Sequence, residues 1–233
     1  MKFGPLRALN RLSFEVLEGE VFGIAGPNGA GKSTLLNVCS GFLKPTGGQV
    51  FFGGERIDGK APHQLCRRGL VRTFQVPQVF GSMTVAGNLE IGATFAGRRE
   101  LGDRFEQVMD TVVELTGIGP QLNRRAGAVD LLTRKTTMLA AVLATSPKLI
   151  FMDEPLAGLN LDETQFFVDL IRRLHNEIGI TFVVVEHKIR ALSALSDRLM
   201  VMHFGQCICL DKPENVVRNE LVISVYLGED FVA

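Results

Sequence analysis

The stretch Gly26-Pro27-Asn28-Gly29-Ala30-Gly31-Lys32-Ser33-Thr34 holds the residues of this sequence best suited to chemistry. It satisfies the spacing G-x-x-x-x-G-K-[ST], after an apolar run from Val21 to Ala25 and ahead of a helix expected from Ser33 to Val38. Glycines let backbone N–H groups turn inward around phosphate oxygens, and a helix N-terminus adds partial positive charge. Lys32 then reaches the β- and γ-phosphates of a nucleotide, and Ser33 offers a hydroxyl to Mg²⁺. The bland alternative is a glycine-rich turn without a ligand. The flanking strand and helix weigh against it.

Leu149-Ile150-Phe151-Met152-Asp153-Glu154 is an apolar strand ending in two acids. Alone, such an end is often a solvated loop. Downstream of a phosphate loop, Asp153 is suited to hold Mg²⁺ and Glu154 to orient and deprotonate an attacking water. His187 follows the apolar run Val183-Val184-Val185 and Glu186. A lone histidine there is more often structural. Three strand ends carrying Lys32 and Ser33, Asp153 and Glu154, and His187 are expected at one sheet edge, where open α/β sheets bind ligands. Gln75, in Arg72-Thr73-Phe74-Gln75, is either an ordinary polar residue at a strand end or a donor of an amide oxygen to Mg²⁺.

The elements that must position these groups follow from periodicity. Leu12, Phe14 and Val16 alternate with polar residues and predict a half-buried strand, with a turn at Glu18-Gly19-Glu20. Gly47-Gly48 and Gly53-Gly54 bracket a short strand at Gln49 to Phe52. From about residue 80 the pattern turns helical: Val108, Val112, Val113 and Leu115 share one face, with Glu100 to Arg104 and Arg124-Arg125 supplying polar faces. Phe166, Leu170, Ile171, Leu174 and Ile178 predict an amphipathic helix closed by Gly179. Ile180 to Val185 reads as a buried strand, and Arg198 to His203 with Gln206 to Leu210 as a final strand pair. Alternating strands and helices predict an α/β fold with a largely parallel sheet.

Composition narrows the function classes. The 233 residues suit one domain, or one domain with an inserted subdomain, and 46% are hydrophobic, enough for a large core. Lys and Arg number 25 and so do Asp and Glu; zero net charge argues against a protein built to bind nucleic acid. No apolar run approaches the roughly 18 residues that cross a bilayer, and Lys2, Arg7 and Arg11 precede no apolar signal segment. Cys39, Cys66, Cys207 and Cys209 are too scattered for a disulfide framework and read as buried or half-buried reduced thiols of a cytosolic chain.

The order of these pieces resembles the ATP-binding subunits of ATP-binding cassette (ABC) transporters, over nearly the whole chain. Gly26 to Thr34 looks like the Walker A loop, Gln75 the Q-loop, Asp153 and Glu154 the Walker B pair, Ala157-Gly158-Leu159-Asn160 the D-loop and His187 the switch histidine. Phe3 stands where the family places an aromatic that stacks on adenine. Arg72-Thr73-Phe74-Gln75, Met83-Thr84-Val85 with Asn88-Leu89, Asp153 to Asn160 and the tail Val225 to Glu229 are similar to subunits that power branched-chain amino acid importers. Urea and short-chain amide importers share much of this wording.

The resemblance implies a P-loop NTPase core of one domain, residues 1–233, with an antiparallel β subdomain and a helical subdomain over about residues 80–145. It implies ATP and Mg²⁺ as cofactors, a second ATPase subunit and integral membrane permease subunits as partners, and a place at the cytoplasmic face of the membrane. Two departures stand out. The chain starts at the aromatic position, so an edge strand is expected to be absent. The family's Leu-Ser-Gly-Gly-Gln signature lies 24 residues before the Walker B aspartate; here that count reaches Val129-Asp130-Leu131-Leu132-Thr133. In the family each signature loop caps the nucleotide on the partner's Walker A loop. Asp130 would bring a carboxylate near a γ-phosphate, and Leu132 adds bulk. The resemblance therefore implies a heterodimer, in which an intact partner signature completes this chain's site. A regulatory module with little turnover, or a soluble ABC ATPase of DNA repair or cluster assembly, are the alternatives.

Overall fold

The computed structural model describes residues 1–95 and 104–230. Of the polar run expected from Glu100 to Arg104, residues 100–103 lie outside them.

In chain order the first half holds β1 (Lys2–Phe3), β2 (Leu6–Arg7), β3 (Val21–Ala25), α1 (Lys32–Cys39), β4 (Phe51–Phe52), β5 (Glu55–Arg56), α2 (Pro62–Cys66), β6 (Leu70–Arg72) and α3 (Val85–Phe95). There follow α4 (Phe105–Thr116), α5 (Leu131–Leu143), β7 (Leu149–Asp153), α6 (Leu161–Ile178) and β8 (Thr181–Val185). The last elements are α7 (Ile189–Leu195), β9 (Arg198–His203), β10 (Gln206–Asp211), α8 (Pro213–Val216) and α9 (Glu220–Asp230). They form two compact units, Met1–Leu65 with Thr181–Ala233, and Cys66–Ile180.

In the first unit the strands run in the order β10-β9-β3-β8. β3 is parallel to both neighbours, and β10 returns antiparallel to β9. All five residues of β3 and of β8 are buried, the continuous apolar reading of strands covered on both faces. β1 with β2 and β4 with β5 form two small separate antiparallel pairs. In the second unit β6 lies parallel to β7, with Arg72 opposite Phe151. Helix α3 packs along α5, and α4 touches α5 and α6. The α6 helix has Asn160 as N-cap in a capping box with Glu163 and ends at Gly179, whose φ of 66° suits a residue without Cβ.

Several expectations need correction. Leu12, Phe14 and Val16 do alternate with exposed residues in burial, but no strand ladder forms there. Side-chain packing holds that segment: the Phe14 ring stacks on Phe22 at 5.6 Å. The strand expected from Gln49 shrinks to Phe51–Phe52: past the two ladder pairs the Ile57 N–H still bonds the Val50 carbonyl, but the Val50 N–H turns to Asp58 Oδ1 instead of continuing the ladder. The buried face of α6 is Phe167, Val168, Leu170, Ile171 and Leu174, whereas Phe166 and Ile178 are exposed. The 3.6-residue period fits both sets at the centre of the helix and diverges at its ends. Cys207 is exposed rather than buried, since β10 is the outermost strand of its unit.

Candidate nucleotide site

In the first unit, β3 delivers the chain into the loop Gly26–Gly31 and α1 starts at Lys32. Two glycines there are steric requirements. A Cβ on Gly26 would fall 2.3 Å from the Met202 carbonyl oxygen, and one on Gly31 would fall 2.5 Å from that of Ala8. Both also hold positive φ, 151° and 102°. Gly29 has φ of 80° with nothing within 4 Å of a built Cβ, and Asn28 beside it is exposed. Lys32 is buried, and its Nζ donates to the carbonyl oxygens of Gly26 at 2.5 Å and Pro27 at 2.9 Å. The ammonium is thereby folded back across the loop that it follows. No side chain caps α1, and its first turn carries no acid. Its leading N–H groups and its positive dipole end suit an anion. Ser33 is exposed, Thr34 half-buried and Ala30 buried.

His187 stands just past β8, with a half-exposed ring. Its Nδ1 is 3.9 Å from a carboxylate oxygen of buried Glu186, an ion pair only when the ring is protonated. Phe3 lies in β1 and is 45% exposed, so its ring face is open to stacking.

In the second unit the two acids end β7, and the segment Arg72-Thr73-Phe74-Gln75 serves both. The Thr73 N–H extends the ladder onto the Phe151 carbonyl at 2.9 Å. Arg72 Nη2 donates to Asp153 Oδ2 at 2.8 Å, in an ion pair whose side chains are only 7% and 15% exposed. The same guanidinium lies 5.3 Å from the centre of the Phe74 ring. Gln75 Nε2 donates to Glu154 Oε2 at 2.6 Å. Glu154 itself holds φ of 44°, a backbone state rare for a residue with a Cβ. Buried Lys135, on α5, donates from Nζ to the Gln75 carbonyl at 3.2 Å.

Gln75, Asp153 and Glu154, singled out from the sequence, lie beside Arg72, Phe74 and Lys135, which the sequence did not single out. Arg72 was visible only as wording beside Gln75, and a lysine inside a helix carries no local signal of burial.

The donors fit Mg²⁺. Hard oxygens of the kind that Mg²⁺ takes stand in each unit by itself: the Asp153 carboxylate and the Gln75 amide oxygen in the second, the exposed Ser33 hydroxyl in the first. Gln75 spends its amide nitrogen on Glu154, which leaves its oxygen as acceptor.

The segment from Val129 to Thr133 has a local role in the helix that follows. Asp130 is the N-cap of α5, and its Oδ1 accepts the Thr133 N–H at 2.7 Å. That bond holds its carboxyl below the usual aspartate value. Val129 is buried, and Leu131 Cδ2 sits 2.9 Å from where a Cβ on Gly158 would be.

Residues 9–157 match the ABC transporter family. The chain belongs to the ABC transporter ATP-binding family. It is 35% identical to the high-affinity branched-chain amino acid transport ATP-binding protein LivG of Salmonella typhimurium, over 98% of this chain and 95% of that protein. A probable LivG of Methanocaldococcus jannaschii is 36% identical over 97% and 94%. Among solved structures, an ATP-binding cassette of an ABC transporter in its ADP conformation superposes with a TM-score of 0.89 at 34% identity, covering 98% of this chain and 96% of that one. The fold is thus the ABC ATPase form of the P-loop NTPase, and ATP hydrolysis is characteristic of the family. No helix among the described residues is long and apolar enough to cross a membrane.

Proposed function

We propose that this ABC ATPase energises an importer of branched-chain amino acids from the cytoplasmic face of the membrane, docked to permease subunits. The observation that carries the proposal is the agreement of the whole chain with LivG proteins, at about 35% identity from end to end of both. Urea or amide import draws on the same wording but has no separate observation in its favour.

In this reading Gly26, Asn28, Gly29, Ala30, Gly31, Lys32, Ser33 and Thr34 bind the phosphates of ATP. Lys32 leaves the Gly26 and Pro27 carbonyls for phosphate oxygens, a charge-assisted exchange. Phe3 stacks on the base. Ser33, Asp153 and Gln75 hold Mg²⁺, which when bound neutralises developing charge on the phosphates. Glu154 accepts the proton of the attacking water, and Gln75 positions that carboxylate through its amide N–H. His187 donates from its half-exposed ring to the γ-phosphate.

The partner is a second ABC ATPase with an intact signature loop, so the assembly is a heterodimer. Support comes from Val129 to Thr133: the loop presents an acid and two leucines where the family presents a serine and glycines. A pair of identical chains would lack several γ-phosphate donors at both sites. Loss of one such donor costs about 10²–10³ in rate. The test is phosphate release by the parent and by Asp130→Ser, Leu131→Gly, Leu132→Gly, Thr133→Gln combined, at equal concentration. The parent alone should be nearly inactive and the repaired chain clearly faster. Brisk turnover by the unrepaired chain would refute the need for a partner signature.

A further inference from the structure

We infer that Arg72 is the positioning residue of the magnesium-binding carboxylate: its Nη2 bond to Asp153 Oδ2 decides which oxygen of Asp153 is presented to the metal. This rests on the reading of Asp153 as a Mg²⁺ ligand.

A lone aspartate at a strand end rotates about its terminal torsion with little preference. Here that rotation is blocked. Nη2 reaches Oδ2 at 2.8 Å, and both side chains are largely withdrawn from water, so the bond is not competed away by solvent as a surface pair would be. The guanidinium and the backbone that carries it are both held. Its backbone is in register with Phe151 on β7, its face lies over the Phe74 ring, and the next peptide N–H is bonded to the Phe151 carbonyl. One link further on, the Gln75 carbonyl receives the buried Lys135 ammonium. The four-residue segment is thus clamped at both ends, and its two long polar side chains each take one oxygen of one acid: Arg72 that of Asp153, Gln75 that of Glu154. With Oδ2 occupied, Oδ1 remains for the metal, and Asp153 acts through one oxygen only. Hydrogen bonds to a metal-binding carboxylate orient it, and their loss typically weakens metal affinity about 10–100-fold.

The two acids are in this way held independently. Arg72 governs the metal-facing acid and Gln75 the acid that receives a proton, so a change at Arg72 should alter the Mg²⁺ requirement while leaving metal-free nucleotide binding to the phosphate loop.

The experiment is ATP binding to the full chain by calorimetry, first in EDTA and then across a Mg²⁺ titration, for the parent, Arg72→Met and Arg72→Gln. The expected result is ATP affinity in EDTA within about twofold of the parent for both variants, with the Mg²⁺ concentration at half-effect raised about 10-fold or more. In an Asp153→Ala background, Arg72→Met should shift the midpoint no further, because the tethered carboxylate is already gone. Should Arg72→Met not fold, as judged by its melting curve, Arg72→Gln carries the same test, since its amide nitrogen lies two bonds nearer the backbone than the Nη2 that reaches Asp153, and it carries no charge. A parental Mg²⁺ midpoint in either folded variant overturns the inference while the nucleotide site stands. A full extra shift in the Asp153→Ala background overturns it too. A parent that binds ATP equally well with and without Mg²⁺ would instead strike the metal-ligand reading on which the inference rests.

Discussion

Asp130 tests whether the segment from Val129 to Thr133 is held together by helix chemistry. The carboxylate is exposed, yet its Oδ1 accepts the Thr133 N–H at 2.7 Å and caps the 13-residue α5. The first turn of α5 holds no other acid to complement its dipole. Removing a side-chain cap costs about 0.5–2 kcal/mol, typically ~1. For a chain of this size each kcal/mol moves the melting temperature by about 2–4 °C. Asp130→Ala should therefore melt a few degrees below the parent at pH 7. Asp130→Ser retains an oxygen at the cap and should stay within about 1–2 °C of the parent. The pH dependence has a definite sign. The carboxyl is lowered from 3.8, chiefly by the Thr133 N–H, so folding favours its ionised form. That stabilisation is complete above the unfolded value and disappears as pH falls through the folded one. The gap between parent and Asp130→Ala should be widest above about pH 5 and close below the ordinary aspartate value. The assay is thermal unfolding followed by circular dichroism from pH 3 to pH 7. An Asp130→Ala chain that melts with the parent at pH 7, or a serine variant that falls as far as the alanine one, would refute the cap.

Lys32→Ala removes an ammonium whose charge-assisted hydrogen bonds are worth roughly 1.5–3 kcal/mol each, so ATP affinity should fall about 10-fold or more in calorimetry; unchanged affinity would sink the phosphate-loop assignment. Glu154→Gln keeps a carbonyl oxygen to accept the Gln75 N–H but has no base, so the chain in its assembled transporter should bind ATP and release almost no phosphate. Parental turnover by that variant would remove Glu154 from the role of base.

The sequence by itself determined the parts whose chemistry is local. A phosphate loop is one contiguous stretch whose backbone must turn in a stated way, and its glycines, lysine and hydroxyl are adjacent in the chain. The apolar runs that become β3, β7 and β8 were legible because strands buried on both faces admit little else. The Asp130 cap was not among these: the sequence offered the acid only as a charge beside a phosphate, and the helix start at Leu131 came from the structure. What tertiary structure decided are the pairings across the chain. Arg72 and Asp153 are 81 residues apart, Gln75 and Glu154 are 79 apart, and Lys135 meets Gln75 from 60 away. No local spacing encodes such contacts, because they arise only when β6 takes its register on β7 and α5 comes to rest over the segment that follows β6. The same holds for Leu12 to Val16. Its period of two set which side chains are half-buried, but backbone pairing needs a neighbouring edge that only the packed fold can supply.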